Sequence, residues 1–320
     1  MSSPKGRYAA RLNSFRGPTA RGTLDLLDRA AQARGLNEVD LNFPDHLDKL
    51  DLVQVRERLA ANGLGLNGFA MRYYGEPGFK LGAFTNPDPV LRRKAIDLTK
   101  RGIDAMRDLG GSLMTLWMGQ DGFDYSFQAD YARLWDHTVA AIAEVADHDP
   151  AVDVSIEYKP NEPRAFSLMP DMGTTLLAIR EVGRSNLGVT LDFAHVLYAD
   201  EMPAHVAALA ARHSRLLGVH LNDGYGKRDD GLMVGAVHPV QTVELLYTLD
   251  GMGYDRPLYF DTFPDATGLD PVAECEANIA TVERLRKVVE RLRRDNGLAA
   301  AIAAQDAVAS AALVRAALYG

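Results

Sequence analysis

A repeated alternation between short apolar runs and longer amphipathic segments is the feature that most limits the fold of this 320-residue chain. Short apolar runs between turn signals predict buried strands. The first such run ends in Arg11–Phe15. The other predicted strands are Val39–Asn42, Leu64–Met71, Leu113–Trp117, Val152–Tyr158, Leu187–Phe193, Leu216–Asn222 and Pro257–Asp261.

Between these runs, apolar residues recur at helical spacing, as Leu24, Leu27 and Ala31 do in the first segment. The predicted helices are Thr23–Arg34, Leu52–Asn62, Asp88–Leu109, Phe127–Asp147, Met172–Val182, Pro203–His213, Val240–Leu249 and Pro271–Arg294. Strands that alternate with helices imply parallel pairing and right-handed crossovers. We therefore expect an α/β chain in which residues 1–294 form one (β/α)₈ barrel.

A doubly wound open sheet is the alternative fold. It would be favoured by a glycine-rich phosphate loop after the first strand, and neither G-x-G-x-x-G nor a Walker A sequence occurs there. Residues 295–320 add an extra C-terminal helix that is too apolar to be solvated on all sides. We expect this C-terminal arm to join subunits in a homodimer or homotetramer. The alternative is that it folds back on its own barrel.

Charge and cysteine content exclude several classes of protein. A formal net charge of −8 argues against nucleic acid and anionic membrane as partners, since both attract positive surfaces. The single cysteine, Cys275, excludes a disulfide scaffold and an all-cysteine zinc site. The first 15 residues lack the apolar segment of a signal peptide, and the apolar C-terminus is interrupted by polar residues. A cytoplasmic location is therefore expected.

Four consecutive predicted strands end in Glu157, Asp192, His220 and Asp261. The active sites of (β/α)₈ barrels lie at these carboxyl ends of the strands. Carboxylates that converge there repel one another unless a cation lies between them. Carboxylate and imidazole ligands without thiolate suit Mn²⁺, Co²⁺ or Mg²⁺, and Zn²⁺ is also compatible. The alternative is that each side chain caps a helix or pairs with an arginine.

Other polar residues follow the same strand ends. His195 and Asp229 could form a second metal position, although Lys227–Asp230 also reads as a solvated turn. Lys159 shares a strand face with Glu157 and could bind a substrate oxygen or pair with a carboxylate. Trp117 could form an apolar wall against a sugar or pack in the core. The remaining predicted helix-associated histidines are expected to be structural or exposed: His46, His137, His148, His205 and His213.

The segment Ile156–Arg164, which reads IEYKPNEPR, resembles the metal- and substrate-binding segment of xylose isomerases. Pro77–Arg93 and Trp117–Gly122 are also similar to segments of that group. His220–Leu232 is more similar to the rhamnose isomerase branch, in which a histidine replaces an aspartate near the metal. Over about residues 10–294 the chain therefore resembles the xylose isomerase-like TIM-barrel family of sugar isomerases and epimerases.

The resemblance implies that Glu157, Asp192, His220 and Asp261 hold one metal, and that His195 and Asp229, with Asp192, hold a second. Two positions depart from the family pattern. The histidine that serves the sugar ring oxygen aligns with Asn42, which cannot act as a base. The second aspartate of a D-x-D pair falls on Gly231, which weakens the second metal position; His238 or Asp230 could compensate.

The predicted function is divalent-metal-dependent aldose–ketose isomerisation of an unphosphorylated monosaccharide, with Mn²⁺ as the first choice and no organic cofactor. Lys159, Asp261 and Trp117 are the predicted catalytic residues. The predicted substrate contacts are Trp117, Lys159, His195, Asn42 and Tyr74. Transfer of the hydrogen as hydride or as a proton stays open, as does the identity of the sugar.

Three alternatives remain. An epimerase on the same metal site needs two bases on opposite faces of one carbon, and an aspartate at position 261 disfavours it. A metal-dependent phosphodiesterase or abasic-site endonuclease would have more histidines and a basic surface. A non-catalytic sugar-binding protein is compatible with the Asn42 and Gly231 departures.

Overall fold

A computed structural model describes residues 6–17, 19 and 22–320. Its strands, in chain order, are β1 Tyr8–Arg11, β2 Glu38–Phe43, β3 Gly65–Met71, β4 Leu113–Trp117, β5 Gly122–Phe123, β6 Asp153–Glu157, β7 Phe166–Ser167, β8 Leu187–Asp192, β9 Leu216–Leu221 and β10 Leu258–Phe260. Apart from β5 and β7, these strands pair in parallel around a closed barrel in the order β1-β10-β9-β8-β6-β4-β3-β2. Because β1 pairs with both β2 and β10, the sheet has no free edge. The (β/α)₈ prediction is confirmed and the open sheet is excluded.

Helices surround the barrel. They are α1 Thr23–Ala30, α2 Leu52–Ala61, α3 Pro89–Asp108, α4 Tyr131–His148, α5 Met172–Val182, α6 Phe193–Tyr198, α7 Pro203–His213, α8 Pro239–Met252, α9 Pro264–Thr267, α10 Pro271–Arg294, α11 Asn296–Ala303 and α12 Ala307–Tyr319. Most of them begin after an aspartate whose side chain accepts a backbone N–H of the first turn, as Asp88 does for Val90. Several also have proline in the first turn, where its missing N–H costs nothing.

The inner face of the barrel positions the site. Alternate residues of a strand face the same side, so Ser155 lies one layer below Glu157, and Thr190 one layer below Asp192. These hydroxyls form a buried chain in which Thr190 donates to Ser155 at 2.7 Å and Ser155 donates to Thr115 at 3.2 Å. These hydroxyls below the strand ends are therefore hydrogen-bonded to one another, and the ligand-type side chains lie above them.

The C-terminal arm differs from the prediction of one extra helix. It forms two helices, because Gln305 has a positive φ of 54° and Asp306 caps α12 by accepting the N–H of Ala309. Neither a glycine nor a proline marks this break. Leu298 and Ala301 of α11 are buried, and Arg291 of α10 donates to the carbonyl of Ala317 in α12. The arm therefore contacts α10 of its own chain.

The short helices α6 and α9 and the antiparallel β5–β7 pair were not expected from the sequence. Within the described part of the chain, no helix has the length and apolar character needed to span a membrane. The expectation that the first 15 residues lack a signal peptide falls partly on residues 1–5, which lie outside the described residues.

Candidate metal centre

Glu157, Asp192, His220 and Asp261 converge at the carboxyl end of the barrel. Glu157 and Asp192 end β6 and β8, His220 lies near the end of β9, and Asp261 follows β10. One ligand atom from each side chain lies within 4.8 Å of one from every other. Glu157, Asp192 and His220 are buried, and Asp261 is half-buried. The four predicted strand-end residues therefore lie around one point.

The donor atoms of this cluster fit a divalent cation. Nδ1 of His220 lies 3.3 Å from Oε1 of Glu157 and 3.8 Å from Oδ2 of Asp192. Nδ1 of His220 and Oδ1 of Asp261 are buried and have no hydrogen-bond partner among the described residues. A buried polar atom without a partner is costly, and a cation bound between carboxylates and imidazole would remove that cost.

Asn222 holds Asp192 in place. Its amide donates to both carboxylate oxygens of Asp192, at 3.1 and 3.0 Å, and to the carbonyl of Asp261 at 3.1 Å. Its carbonyl accepts the N–H of Ala194, and Asp192 also accepts the N–H of His195 as the cap of α6. The sequence interpretation gave Asn222 no role. Asn222 lies two residues after His220, and alternate residues of an extended strand face the same side, so this spacing could have pointed to it.

Arg11 holds Asp261 on the other side. Its Nε lies 3.7 Å from Asp261, and its Nη1 donates to Asp265 at 3.1 Å. Arg11 is the last residue of β1, and so lies at the same end of the barrel as the four ligand-type residues. The charge of Arg11 neutralises part of the acidic cluster. The sequence alone did not identify Arg11 as part of the site.

His195, Asp229 and Lys159 form a second group beside the first. Nε2 of His195 lies 3.2 Å from Asp229, and its Nδ1 lies 3.7 Å from Glu157. Lys159 donates to the same oxygen of Asp229 at 3.2 Å and lies 2.9 Å from Glu162. The predicted partners of a second metal are thus adjacent, but an ammonium already neutralises Asp229.

The local conformation at Gly231 leaves no room for the family's second aspartate. Gly231 has a φ of +56°, and a Cβ atom placed there would lie 2.3 Å from the ring of Phe263. Phe263 also donates its N–H to the carbonyl of Gly231 at 2.9 Å. An acidic side chain at this position would require the ring to move. The four-residue cluster therefore offers a donor set for one cation, and position 231 adds no acidic side chain to His195 and Asp229.

Mutual charge controls the ionisation of the group. Burial alone would lower the pKa values of His195 and His220, but the surrounding carboxylates outweigh it and raise them to about 10 and about 9. Burial and neighbouring carboxylates raise the pKa of Asp192 to about 7. Burial raises the pKa of Asp261 despite Arg11. The cluster therefore carries excess negative charge that only protons or a cation can compensate.

Trp117 and Tyr74 form an aromatic wall near Lys159. Their rings meet edge to face with centroids 5.5 Å apart, and Nζ of Lys159 lies 5.6 Å from the centroid of the indole ring. Trp117, Glu157 and Lys159 line a common cleft. The predicted substrate contacts Trp117, Lys159 and Tyr74 are therefore next to the acidic cluster.

Asn42 is the penultimate residue of β2, and its Nδ2 is buried without a hydrogen-bond partner in the described structure. The nearby His46 was expected beside a helix, yet it lies in the turn after β2 and is buried. Its Nδ1 accepts the N–H of Asn42 at 2.9 Å, and its Nε2 contacts Oδ1 of Asn13 at 2.7 Å. Both ring nitrogens are occupied, so His46 does not replace the missing histidine at position 42.

Known proteins resemble this chain in sequence and in structure. A xylose isomerase from Thermus thermophilus is 29% identical over 245 residues, which are 74% of this chain and 60% of that protein. The chain thus spans about 60% of that relative's length. The structure of an L-ribulose 3-epimerase matches with a TM-score of 0.72 and 19% identity, over 90% of this chain and 97% of that one.

A D-allulose 3-epimerase from Methylomonas sp. matches with a TM-score of 0.68 and 18% identity, over 89% of this chain and 99% of that one. At this identity the two structures support the fold alone. The profile of the family described as xylose isomerase-like TIM barrel matches residues 27–294, which include every residue of the acidic cluster. The chain belongs to the xylose isomerase-like TIM-barrel family.

Proposed function

We propose that this protein is a divalent-metal-dependent sugar isomerase that interconverts an aldose and a ketose. The observation that carries the proposal is the convergence of Glu157, Asp192, His220 and Asp261 within 4.8 Å at the catalytic end of the barrel. Membership of a family that contains sugar isomerases supports it, as does the relative named xylose isomerase. We assign these four side chains as ligands of one metal, with Mn²⁺ as the first choice.

When bound there, the metal would polarise the substrate carbonyl as a Lewis acid. Lys159 lies beside the cluster and donates a hydrogen bond to the carbonyl oxygen as negative charge develops on it. Asp229 and Glu162 keep Lys159 charged and fixed; burial alone would lower its pKa, but these carboxylates raise it. Trp117 covers one face of the sugar and excludes water from it.

We assign proton transfer to Asp261. Its Oδ1 is buried, has no hydrogen-bond partner and lies 3.7 Å from Nε of Arg11. Burial raises the pKa of this carboxyl above its ordinary value, so it binds a proton more readily. The proton leaves the carbon next to the carbonyl, is held on Oδ1, where it can exchange with solvent, and is delivered to the former carbonyl carbon. The hydroxyl proton of the neighbouring carbon passes to the former carbonyl oxygen, beside Lys159, so that the carbonyl moves by one carbon. Because Gly231 and Lys159 leave the second cation position incomplete, we favour this route over hydride transfer.

A keto-sugar 3-epimerase is the second candidate. The structural neighbours named L-ribulose 3-epimerase and D-allulose 3-epimerase suggest it, and it would also operate with one metal. The two candidates differ in their products. Isomerisation moves the carbonyl between C1 and C2, whereas epimerisation inverts one carbon and leaves the carbonyl in place.

The test uses metal-free protein prepared with a chelator and reloaded with Mn²⁺, Co²⁺ or Mg²⁺. Aldoses and ketoses are incubated with each form in deuterated water, and products are identified by NMR. Isomerisation with deuterium in the product supports the leading proposal. Inversion at C3 without carbonyl migration supports the epimerase. No turnover of any sugar with any metal would overturn both.

We also propose that residues 295–320 join subunits in a homo-oligomer. No side chain of α12 is buried, although the helix has a single charged residue, Arg315. Such a helix gains stability when a second apolar surface covers it. Light scattering should give a dimer or tetramer for the full chain and a smaller species for a chain that ends at residue 294. If the shortened chain had the same number of subunits per particle as the full chain, residues 295–320 would not be needed for oligomerisation.

A further inference from the structure

Arg72 is a cation at the mouth of the barrel that neither the fold nor the proposed chemistry uses. It follows β3 directly, and its backbone N–H donates to the carbonyl of Phe43 at 2.8 Å. We propose that Arg72 binds a carboxylate of the substrate, and that the substrate class is therefore sugar acids rather than neutral sugars. This inference rests on the proposed function.

The guanidinium lies between two aromatic rings. Its Cζ is 5.3 Å from the centroid of Tyr74 and 5.5 Å from that of Trp117. Cation–π contacts of this kind fix the plane of the group and leave its N–H donors free to form hydrogen bonds at its edge. Arg72 is therefore held in one orientation without using the donors that would recognise an anion.

Those donors lack partners. Nε of Arg72 is buried and unpartnered, and none of the described residues places an acceptor or carboxylate at hydrogen-bond or ion-pair distance from the guanidinium. By contrast, Arg11 at the same end of the barrel is paired with Asp261 and Asp265. The charges of Asp45 and Glu157 reach Arg72 from beyond ion-pair distance, so its charge is partly balanced while its N–H donors stay without acceptors. A half-buried donor group without an acceptor is costly unless a ligand supplies one.

The position of Arg72 relative to Lys159 and the acidic cluster bears on how a substrate is oriented in the site. Trp117 has Lys159 over the same ring, with Nζ at 5.6 Å from its centroid. Arg72 and Lys159 thus both lie beside this indole, and we place the carbonyl oxygen of the sugar at Lys159 and its far end at Arg72. The reactive end meets the metal cluster, and the terminal carbon carries the recognised charge.

The donor geometry favours carboxylate over phosphate. One planar guanidinium forms two parallel hydrogen bonds with one carboxylate. A phosphate monoester has three acceptor oxygens and up to two charges, so a single arginine would leave part of it unsatisfied. An aldose or ketose acid with a terminal carboxylate matches the unpaired guanidinium of Arg72.

The test compares matched pairs: D-glucose with D-glucuronate, and D-galactose with D-galacturonate, with D-glucose 6-phosphate as the phosphate probe. On the manganese-loaded enzyme we expect kcat/KM for a uronate to exceed that for its neutral partner by about tenfold or more. Arg72→Leu should reduce this preference by about 10–100-fold, mostly through KM, and Arg72→Lys should restore part of it.

Arg16→Leu is the matched control. Arg16 is exposed, and its charge reaches His46 as that of Arg72 does, so this variant removes an equal charge without removing the aromatic-bound donor. It should change the acid-to-neutral ratio by less than about twofold. An equal loss in Arg16→Leu and Arg72→Leu would show a general field effect and overturn the assignment.

Binding gives an independent readout. Calorimetry should detect D-glucuronate binding to the wild-type protein and its loss in Arg72→Leu, with thermal unfolding used to check that both are folded. Turnover of neutral sugars with no acid preference would overturn this inference and leave the proposed function intact. Preference for the phosphate would overturn the choice of carboxylate. Absence of turnover across the whole panel of aldoses and ketoses described above would overturn the proposed function, and the calorimetry would then decide the inference alone.

Discussion

The buried His46 makes the stability of the barrel depend on pH in a defined window. Burial, followed by the charges of Arg16, Arg72 and Arg11, lowers the pKa of His46 to about 3, against an ordinary value near 6.5. The hydrogen bonds agree with a neutral ring: Nδ1 accepts from Asn42, which leaves Nε2 to donate to Asn13. The folded protein therefore carries no proton on His46 at pH 4–6, whereas the unfolded chain does.

The direction in which stability changes with pH follows from the number of protons that each state binds. Between about pH 6.5 and pH 3 the unfolded state binds more protons at this residue, so the free energy of unfolding falls as the pH falls. The slope is about half of 1.4 kcal/mol per pH unit at pH 6.5 and approaches about 1.4 kcal/mol at lower pH, which amounts to about 2 kcal/mol between pH 6.5 and pH 4.5. Below about pH 3 both states are protonated and this contribution stops changing.

Urea unfolding at pH 6.5, 5.5 and 4.5 measures the effect by comparing wild type with His46→Gln, which lacks the titration. The difference in unfolding free energy between the two should change by about 2 kcal/mol across this range. Exposed His213 provides the control variant His213→Gln, which should keep the wild-type slope. Imidazole NMR signals of His46 that titrate between pH 5 and pH 7 in the folded protein would refute the reasoning.

Further predictions concern the cluster itself. Asn222→Leu removes the amide that fixes Asp192 and should weaken Mn²⁺ affinity about 10–100-fold by calorimetry; unchanged affinity would remove its positioning role. Lys159→Met should lower kcat about 10²–10³-fold while the metal content stays constant, and loss of metal instead would make Lys159 structural. Gly231→Asp should lower the thermal midpoint because Phe263 occupies its Cβ position, and adding Phe263→Ala should recover part of the loss. An undisturbed midpoint in the single variant would contradict the close contact.

The fold could be predicted from the sequence because the spacing of apolar residues alternates along the chain between that of a strand and that of a helix. Strand-length apolar runs and helical segments alternate, and the boundaries of α5, α7 and α10 agree with the predicted helices at both ends. The break between α11 and α12 was not readable, since it depends on one positive φ at Gln305 and an aspartate cap inside an alanine-rich run. Local backbone geometry of this kind leaves no periodic signal.

The sequence predicted those site residues that lie at the ends of apolar strands. A polar residue at the end of an apolar strand is costly without a reason, and this identified Glu157, Asp192, His220 and Asp261. Residues that act through a neighbour required coordinates. Arg72 depends on the packing of two aromatic rings, and the closed position at Gly231 depends on Phe263, which lies far from it in sequence.

The central claim is that one divalent cation is held by the four strand-end residues and is needed for turnover. The most direct measurement is metal per chain by elemental analysis after chelation and reloading with Mn²⁺, together with sugar turnover of the same samples. We expect one equivalent per chain, turnover that rises with occupancy, and loss of both in Glu157→Gln but not in Glu57→Gln, which changes an exposed residue of α2. Stoichiometric metal retained in Glu157→Gln, or full turnover in metal-free protein, would contradict the claim.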